Sequence, residues 1–357
     1  MLLQQGKRMI HELNIKLGHR CMFQCSYCLS EGLIGNKDYT IDKELYNFIE
    51  HSEIFNPENL VIKFFGGESL IYFGQIKEII HNLKNKPRFR FIIFSNGQLL
   101  SEEIIIILNK YNIEFILSHD GHNTSKTRTC DVLADDEKFL LFKQIKNKKI
   151  YMVYNRYNQD LYTAWNYFQN LFGNIPIETG LIVPTEKIPE DIYDFNLNIV
   201  KETFEKVKQK ILQYGLNNIH TQNETNFVRD RLIFLTQVEL GHIKDYENSC
   251  HMMHSRLSID SEGYLLSCHN AGSRVADKKI FQMSFSEMSD IFYMRYQPAY
   301  TFETCSSCKY NKYCRGSCFT KQNLPAMKKL CDVKHLYYDM LVSFLKKYKG
   351  KTNGTSI

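Results

Sequence analysis

The sequence predicts an α/β fold: a partial, TIM-like (β/α)6 barrel followed by a C-terminal cysteine-rich domain. Two observations predict it. The first two-thirds of the 357-residue chain alternates strand-like and helix-like segments, and the last third replaces that rhythm with closely spaced cysteines. Strands are expected at residues 10–17, 60–65, 89–95, 113–118, 150–155 and 177–183. Each is a short apolar or β-branched run bounded by turn residues. Helices fall between them at 41–51, 73–85, 102–111, 134–146 and 161–172. Such repeats imply a parallel sheet curling into an incomplete barrel with helices outside.

A lysine-rich amphipathic helix over 199–214 ends at Gly215, residues 215–224 read as a connector, and 227–240 as a bridging helix. From Cys250 the periodicity breaks down, as expected where clusters rather than a core fix the backbone. A helix over 337–348 closes the fold, and 350–357 reads as a disordered tail. The expected boundaries are 1–225 for the barrel, 226–249 for the bridge, 250–349 for the cysteine-rich domain and 350–357 for the tail.

Composition bounds the function. Hydrophobic residues make up 43% and charged residues 24%, so the chain can bury a large core. The net charge of +6 is modest and its lysines are scattered, which predicts a solvated basic face and no nucleic-acid partner. No apolar run approaches the ~18 residues of a membrane span, and no secretory signal opens the chain. Eleven cysteines without an export signal point to metal or cluster ligation in a reducing cytoplasm rather than to disulfides.

Ten of those cysteines form two patterns. Cys21, Cys25 and Cys28 read C-x3-C-x2-C directly after the first strand. Three thiolates this close can wrap one 4Fe–4S cubane and leave an iron open to a small molecule. Zinc is the competing reading, but structural zinc sites close with four ligands. Further along, Gly66-Gly67-Glu68 follows the second strand, Ser95-Asn96-Gly97 the third, and Ser118-His119-Asp120-Gly121 the fourth, with Arg128 just beyond. Ligands of parallel α/β folds bind at these strand ends.

The triad, with Tyr27 before its last cysteine, and the G-G-E, S-N-G and S-x-D-G segments in this order resemble the radical S-adenosylmethionine (SAM) superfamily. The resemblance implies that Tyr27, Gly66, Gly67, Glu68, Ser95, Asn96, Ser118, Asp120 and Arg128 form the SAM pocket. Gly66 and Gly67 would let backbone approach the ligand. Glu68 or adjacent carbonyls would accept from the methionyl ammonium, and Ser118 and Arg128 would donate to its carboxylate. It also implies the reaction: an electron, delivered by a reductant such as flavodoxin or ferredoxin, cleaves SAM to methionine and a 5′-deoxyadenosyl radical that removes a hydrogen atom from a C–H bond.

The second pattern is Cys250-x12-Gly263-x4-Cys268, then Cys305-x2-Cys308-x5-Cys314-x3-Cys318 and finally Cys331. Gly263 suits a hairpin turn between strands at 257–259 and 264–266. The pattern resembles the SPASM extension of radical SAM enzymes, which holds two auxiliary 4Fe–4S clusters, so three clusters are expected in all. The family's connectivity assigns Cys250, Cys268 and Cys318 to auxiliary cluster I, and Cys305, Cys308, Cys314 and Cys331 to auxiliary cluster II. Cluster I is then one ligand short. His251, His254 or the unassigned Cys130 would close it, or an open iron would bind a substrate thiolate.

Within this group, sulfatase-maturating enzymes carry an Asp after the G-x4-C cysteine as base. Here that residue is His269. A Cys-His step is instead similar to maturases that build thioether, carbon–carbon or ether cross-links into ribosomally made peptides. His269 is a candidate proton acceptor, since an unperturbed imidazole titrates near neutrality, or a hydrogen-bonded histidine beside a cluster. Cys130 is the second candidate for the chemistry, against a reading as a small buried hydrophobe. Only twenty residues precede Cys21, too few for a leader-binding domain, so a peptide or protein substrate would be gripped by the barrel, the C-terminal domain or a separate leader-binding protein. Formylglycine-type oxidation and a non-catalytic iron–sulfur or zinc scaffold are the alternatives.

Overall fold

A computed structural model of the chain describes residues 9–30, 35, 37–183, 188–216, 218–242, 255–270, 273–295, 303–315 and 324–349. Six strands, β1 (Glu12–Lys16), β2 (Leu60–Phe65), β3 (Phe89–Ser95), β4 (Glu114–Ser118), β5 (Lys148–Tyr154) and β6 (Ile177–Leu181), pair in parallel and in chain order. Helices α1 (Glu44–His51), α2 (Phe73–Asn82), α3 (Glu102–Lys110), α4 (Asp136–Gln144) and α5 (Leu161–Phe172) form the crossovers. Among the described residues β6 does not pair back to β1, so the barrel is partial.

Period-two alternation sorts the side chains. In β2, Leu60, Ile62 and Phe64 are fully buried and join Leu45, Ile49, Ile76 and Ile79 in the core between sheet and helices. Val61, Lys63 and Phe65 face the lumen and are less buried. Side-chain caps start the helices: Ser101 accepts from the Ile104 amide at α3, Asp135 from Lys138 at α4 and Asp160 from Tyr162 at α5.

The expected hairpin forms from β7 (Arg256–Asp260) and β8 (Tyr264–Leu266), turning at Gly263 with φ +89°. It does not stand apart from the barrel. β7 lies parallel to β1 over its whole length, and β9 (Arg274–Lys279) extends the sheet to nine strands in the order β6-β5-β4-β3-β2-β1-β7-β8-β9. Sequence periodicity does not reveal β9, because its ADKK stretch is polar and mostly solvent-facing.

The C-terminal helices also depart from expectation. After α6 (Glu190–Tyr193) and α7 (Leu197–Tyr214), α8 (Gln222–Glu239) begins inside the expected connector, leaving only a short 3-10 turn at Ile219–Thr221. Beyond the hairpin, α9 (Phe285–Arg295) and the short α10 (Glu303–Ser306) and α11 (Asn311–Cys314) lead to α12 (Leu324–Lys349), 26 residues long and packed against α7 and α8. Only the second half of α12 is legible as a helix. In its first half Cys331 and Lys334 interrupt the apolar stripe, because they face a cavity instead of the core. Among the described residues no helix is long and apolar enough to cross a membrane.

Candidate active site at the strand ends

The loop after β1 carries Cys21, Cys25 and Cys28, and two strand ends pin it. On the β2 side, the Gly67 amide donates to the Gly18 carbonyl at 3.1 Å and the Glu68 amide to the Arg20 carbonyl at 2.7 Å. A Cβ on Gly67 would lie 2.4 Å from the Arg20 carbonyl oxygen and 2.5 Å from that of His19. The missing side chain at Gly67 therefore admits the cysteine loop, a role beyond the expected ligand approach. On the β4 side, the Ser26 amide donates to the Thr127 carbonyl at 2.9 Å, and the Gln24 amide to Thr129 Oγ1 at 2.7 Å.

Burial pushes the thiols of Cys21 and Cys25 up to about 11. All three cysteines lie close enough to interact electrostatically. Three free cysteines on one short loop are a donor set that fits an iron cluster.

The glutamate is fully engaged. Glu68 accepts from the Ser95 hydroxyl at 2.6 Å, the Asn96 amide at 2.8 Å and the Leu70 amide at 2.9 Å. Burial raises its carboxyl above the usual range, and these donors offset only part of the rise. Ser95 also accepts from the Gly97 amide, and Asn96 from that of Gln98. The G-G-E and S-N-G segments thus form one rigid platform joining β2 to β3.

Asp120 organises the other side. Its buried carboxylate accepts from the Tyr27 hydroxyl at 2.5 Å, Thr127 Oγ1 at 2.7 Å and the Val153 amide at 3.0 Å. It also pairs with Arg128, whose guanidinium sits 5.4 Å from the Tyr27 ring centre. Burial works against the Arg128 charge, yet Asp120, with Tyr27 and Cys25, more than offsets it and raises the guanidinium pKa further. Ser118, at the end of β4, is half-buried, and its hydroxyl makes no hydrogen bond among the described residues.

His269 reaches into the lumen, its ring 4.3 Å from that of Phe65, which stacks on Phe94 at 4.9 Å; Tyr151 meets Phe94 edge-on at 5.9 Å. Burial, helped by Arg256, drives its imidazole down to about 3, below the near-neutral value expected from sequence. The ring is therefore neutral, and its buried Nδ1 has no partner among the described residues. Cys130 sits near the ends of β3 and β4, its thiol 3.5 Å from Gln98 Oε1.

Of the second cysteine pattern, Cys250 and Cys318 lie outside the described residues, as do His251 and His254. Cys268 is buried after β8. Cys305, Cys308, Cys314 and Cys331 ring one cavity. Four cysteines around one cavity are a complete thiolate set for one cluster.

Thr127, Thr129, Tyr72, Phe65 and Phe94 escape motif reading. Tyr72 takes the Arg20 amide at 2.9 Å and so joins the loop clamp. A signal existed for the phenylalanines, since both occupy lumen positions at adjacent strand ends.

No family model matches the chain. It is 22% identical over 345 residues, 87% of its length and 68% of the other's, to the radical SAM cyclopropyl synthase TigE of Paramaledivibacter caminithermalis. Its fold matches anSMEcpe with bound AdoMet at a TM-score of 0.64, with 18% identity, covering 95% of this chain and 96% of that one. Streptococcus suis SuiB bound to precursor peptide SuiA matches at 0.56, with 17% identity over 88% of this chain and 72% of that one. The chain therefore shares the fold of anSMEcpe and SuiB and is similar in sequence to a radical SAM cyclopropyl synthase, with its cysteine triad clamped between the strand-end motifs.

Proposed function

We propose that the chain is a peptide maturase that introduces an oxidative cross-link (thioether, carbon–carbon or ether) into a peptide or protein side chain. The observation that carries this reading is the clamped cysteine loop at the mouth of a lumen walled by Phe65, Phe94, Tyr151 and His269. When bound, the cluster and SAM supply reductive cleavage to a 5′-deoxyadenosyl radical, which abstracts hydrogen from the substrate.

The chain's own residues do the rest. Ser118 is free to donate to the methionyl carboxylate. Because Glu68 is occupied by β3, the backbone carbonyls of Gly66 and Gly67 are the better acceptors for the ammonium. Arg128 and Asp120 brace Tyr27 under the cysteine loop. The aromatic wall holds a substrate side chain and excludes water. Cys305, Cys308, Cys314 and Cys331 hold one auxiliary cluster, and Cys268 with Cys250 and Cys318 the other, within the C-terminal part from residue 250. Two relatives of this fold, anSMEcpe and SuiB, have been solved with peptides, which favours a peptide over a small molecule.

The test is anaerobic reconstitution. About twelve irons per chain, the content of three cubanes, are expected, with 5′-deoxyadenosine formed on adding SAM and dithionite. Co-expression with a candidate precursor peptide that the enzyme accepts should yield a product two hydrogens lighter. Absence of deoxyadenosine from the iron-loaded protein, or a product carrying formylglycine, overturns the proposal.

A further inference from the structure

A buried cation in the C-terminal part, Lys334, has no anionic partner among the described residues. Lys334 is only 8% exposed, and its Nζ is buried without a hydrogen-bond partner among the described residues. It lines the cavity ringed by Cys305, Cys308, Cys314 and Cys331, and no Asp or Glu among the described residues lines that cavity. A buried, unpaired ammonium is unfavourable unless an anion fills the space before it.

The helix explains how it gets there. Cys331, Lys334, His335 and Tyr338 follow one another at spacings of three, one and three residues, so α12 presents all four on one face to the cavity. His335 Nε2 lies 3.4 Å from Cys308 Sγ, and the Tyr338 hydroxyl lies beside Cys314. One helix thus contributes a ligand, a fixed charge and two hydrogen-bonding groups.

We propose that Lys334 is a positioning residue for auxiliary cluster II: its ammonium balances the negative charge of the four-thiolate cluster and raises its reduction potential, with His335 and Tyr338 bonding ligand sulfurs. A cubane held by four thiolates is a dianion, and each electron it accepts adds negative charge. A buried cation at its edge therefore stabilises the reduced form more than the oxidised one. This rests on the reading that these four cysteines hold a cluster.

The experiment uses the full-length chain in a Cys21→Ala, Cys25→Ala, Cys28→Ala background, so that only the C-terminal cysteines hold iron. Iron content and dithionite titration followed by electron paramagnetic resonance are read for Lys334→Met and Lys334→Arg. The signal that disappears in Cys305→Ala/Cys331→Ala is assigned to auxiliary cluster II. Lys334→Met should keep its iron and titrate at a more negative potential, with Lys334→Arg close to the parent. Loss of this cluster in Lys334→Met alone, with Lys334→Arg intact, also supports the role of the charge. An unchanged potential in Lys334→Met, or loss of the cluster in both variants, overturns the proposal. If Cys305→Ala/Cys331→Ala removes no iron at all, the cluster assignment itself fails, whatever Lys334 does.

Discussion

At the residue scale, single atoms decide whether the cysteine loop can sit against the strand ends that form the proposed SAM pocket. Gly67 is the clearest case. Its φ is ordinary, so the requirement is space: a methyl group there meets two backbone carbonyls that cannot rotate away. Gly67→Ala should destabilise the fold by about 1–3 kcal/mol through overpacking. It should also lower iron bound by the N-terminal triad while sparing the C-terminal iron, which iron analysis in variants lacking either set would show. Ser118 makes the opposite point, because its hydroxyl is left unused by the protein. Hydrogen bonds to charged groups contribute about 1.5–3 kcal/mol, so Ser118→Ala should weaken SAM binding by at least about tenfold with unchanged thermal stability. Equal affinity by calorimetry would remove Ser118 from the pocket.

At the element scale, β1 is the hinge of the architecture, paired on one side with β2 and on the other with β7. Glu12 ties the three strands across the lumen floor, pairing with Lys63 at 2.8 Å and with the Arg256 guanidinium. Burial alone would raise its carboxyl, but Arg256 and Lys63 hold it below its ordinary value of 4.5. A carboxyl depressed on folding stabilises the native state above its unfolded pKa, and that stability is lost as pH falls through the folded value. Glu12→Gln should therefore cost up to about 3 kcal/mol near neutral pH, the low end for breaking a buried pair. The gap to the parent should close below about pH 4.5, as read from urea midpoints across the acid range. A gap that persists or widens on acidification would place the effect elsewhere. The lone lysine in the apolar run of β2 is explained by this charge pair: the helix-facing side is wholly apolar, while Lys63 looks inward.

At the scale of the whole molecule, the candidate site is an assembly of strand ends, so ligand binding should report on the sheet as a unit. By mass action, SAM at one hundred times its Kd adds about 2.7 kcal/mol to the stability of a protein that binds it only when folded. The iron-loaded chain should melt several degrees higher with SAM, and the Cys21→Ala, Cys25→Ala, Cys28→Ala variant should not. Local patterns determined much of this fold. Six strands and five crossover helices follow from short-range periodicity and from turn residues, and the cysteine spacings point to the proposed chemistry, because a ligand loop is a local object. What tertiary structure decided involves partners far apart in the chain. Glu68 binds β3 rather than standing free, the Val153 amide donates to Asp120, the hairpin joins β1 across more than two hundred residues, and α12 turns Cys331 and Lys334 into the cavity lined by Cys305, Cys308 and Cys314. A buried polar side chain takes whichever donor or acceptor the fold brings to it, and spacing along the chain does not carry that information.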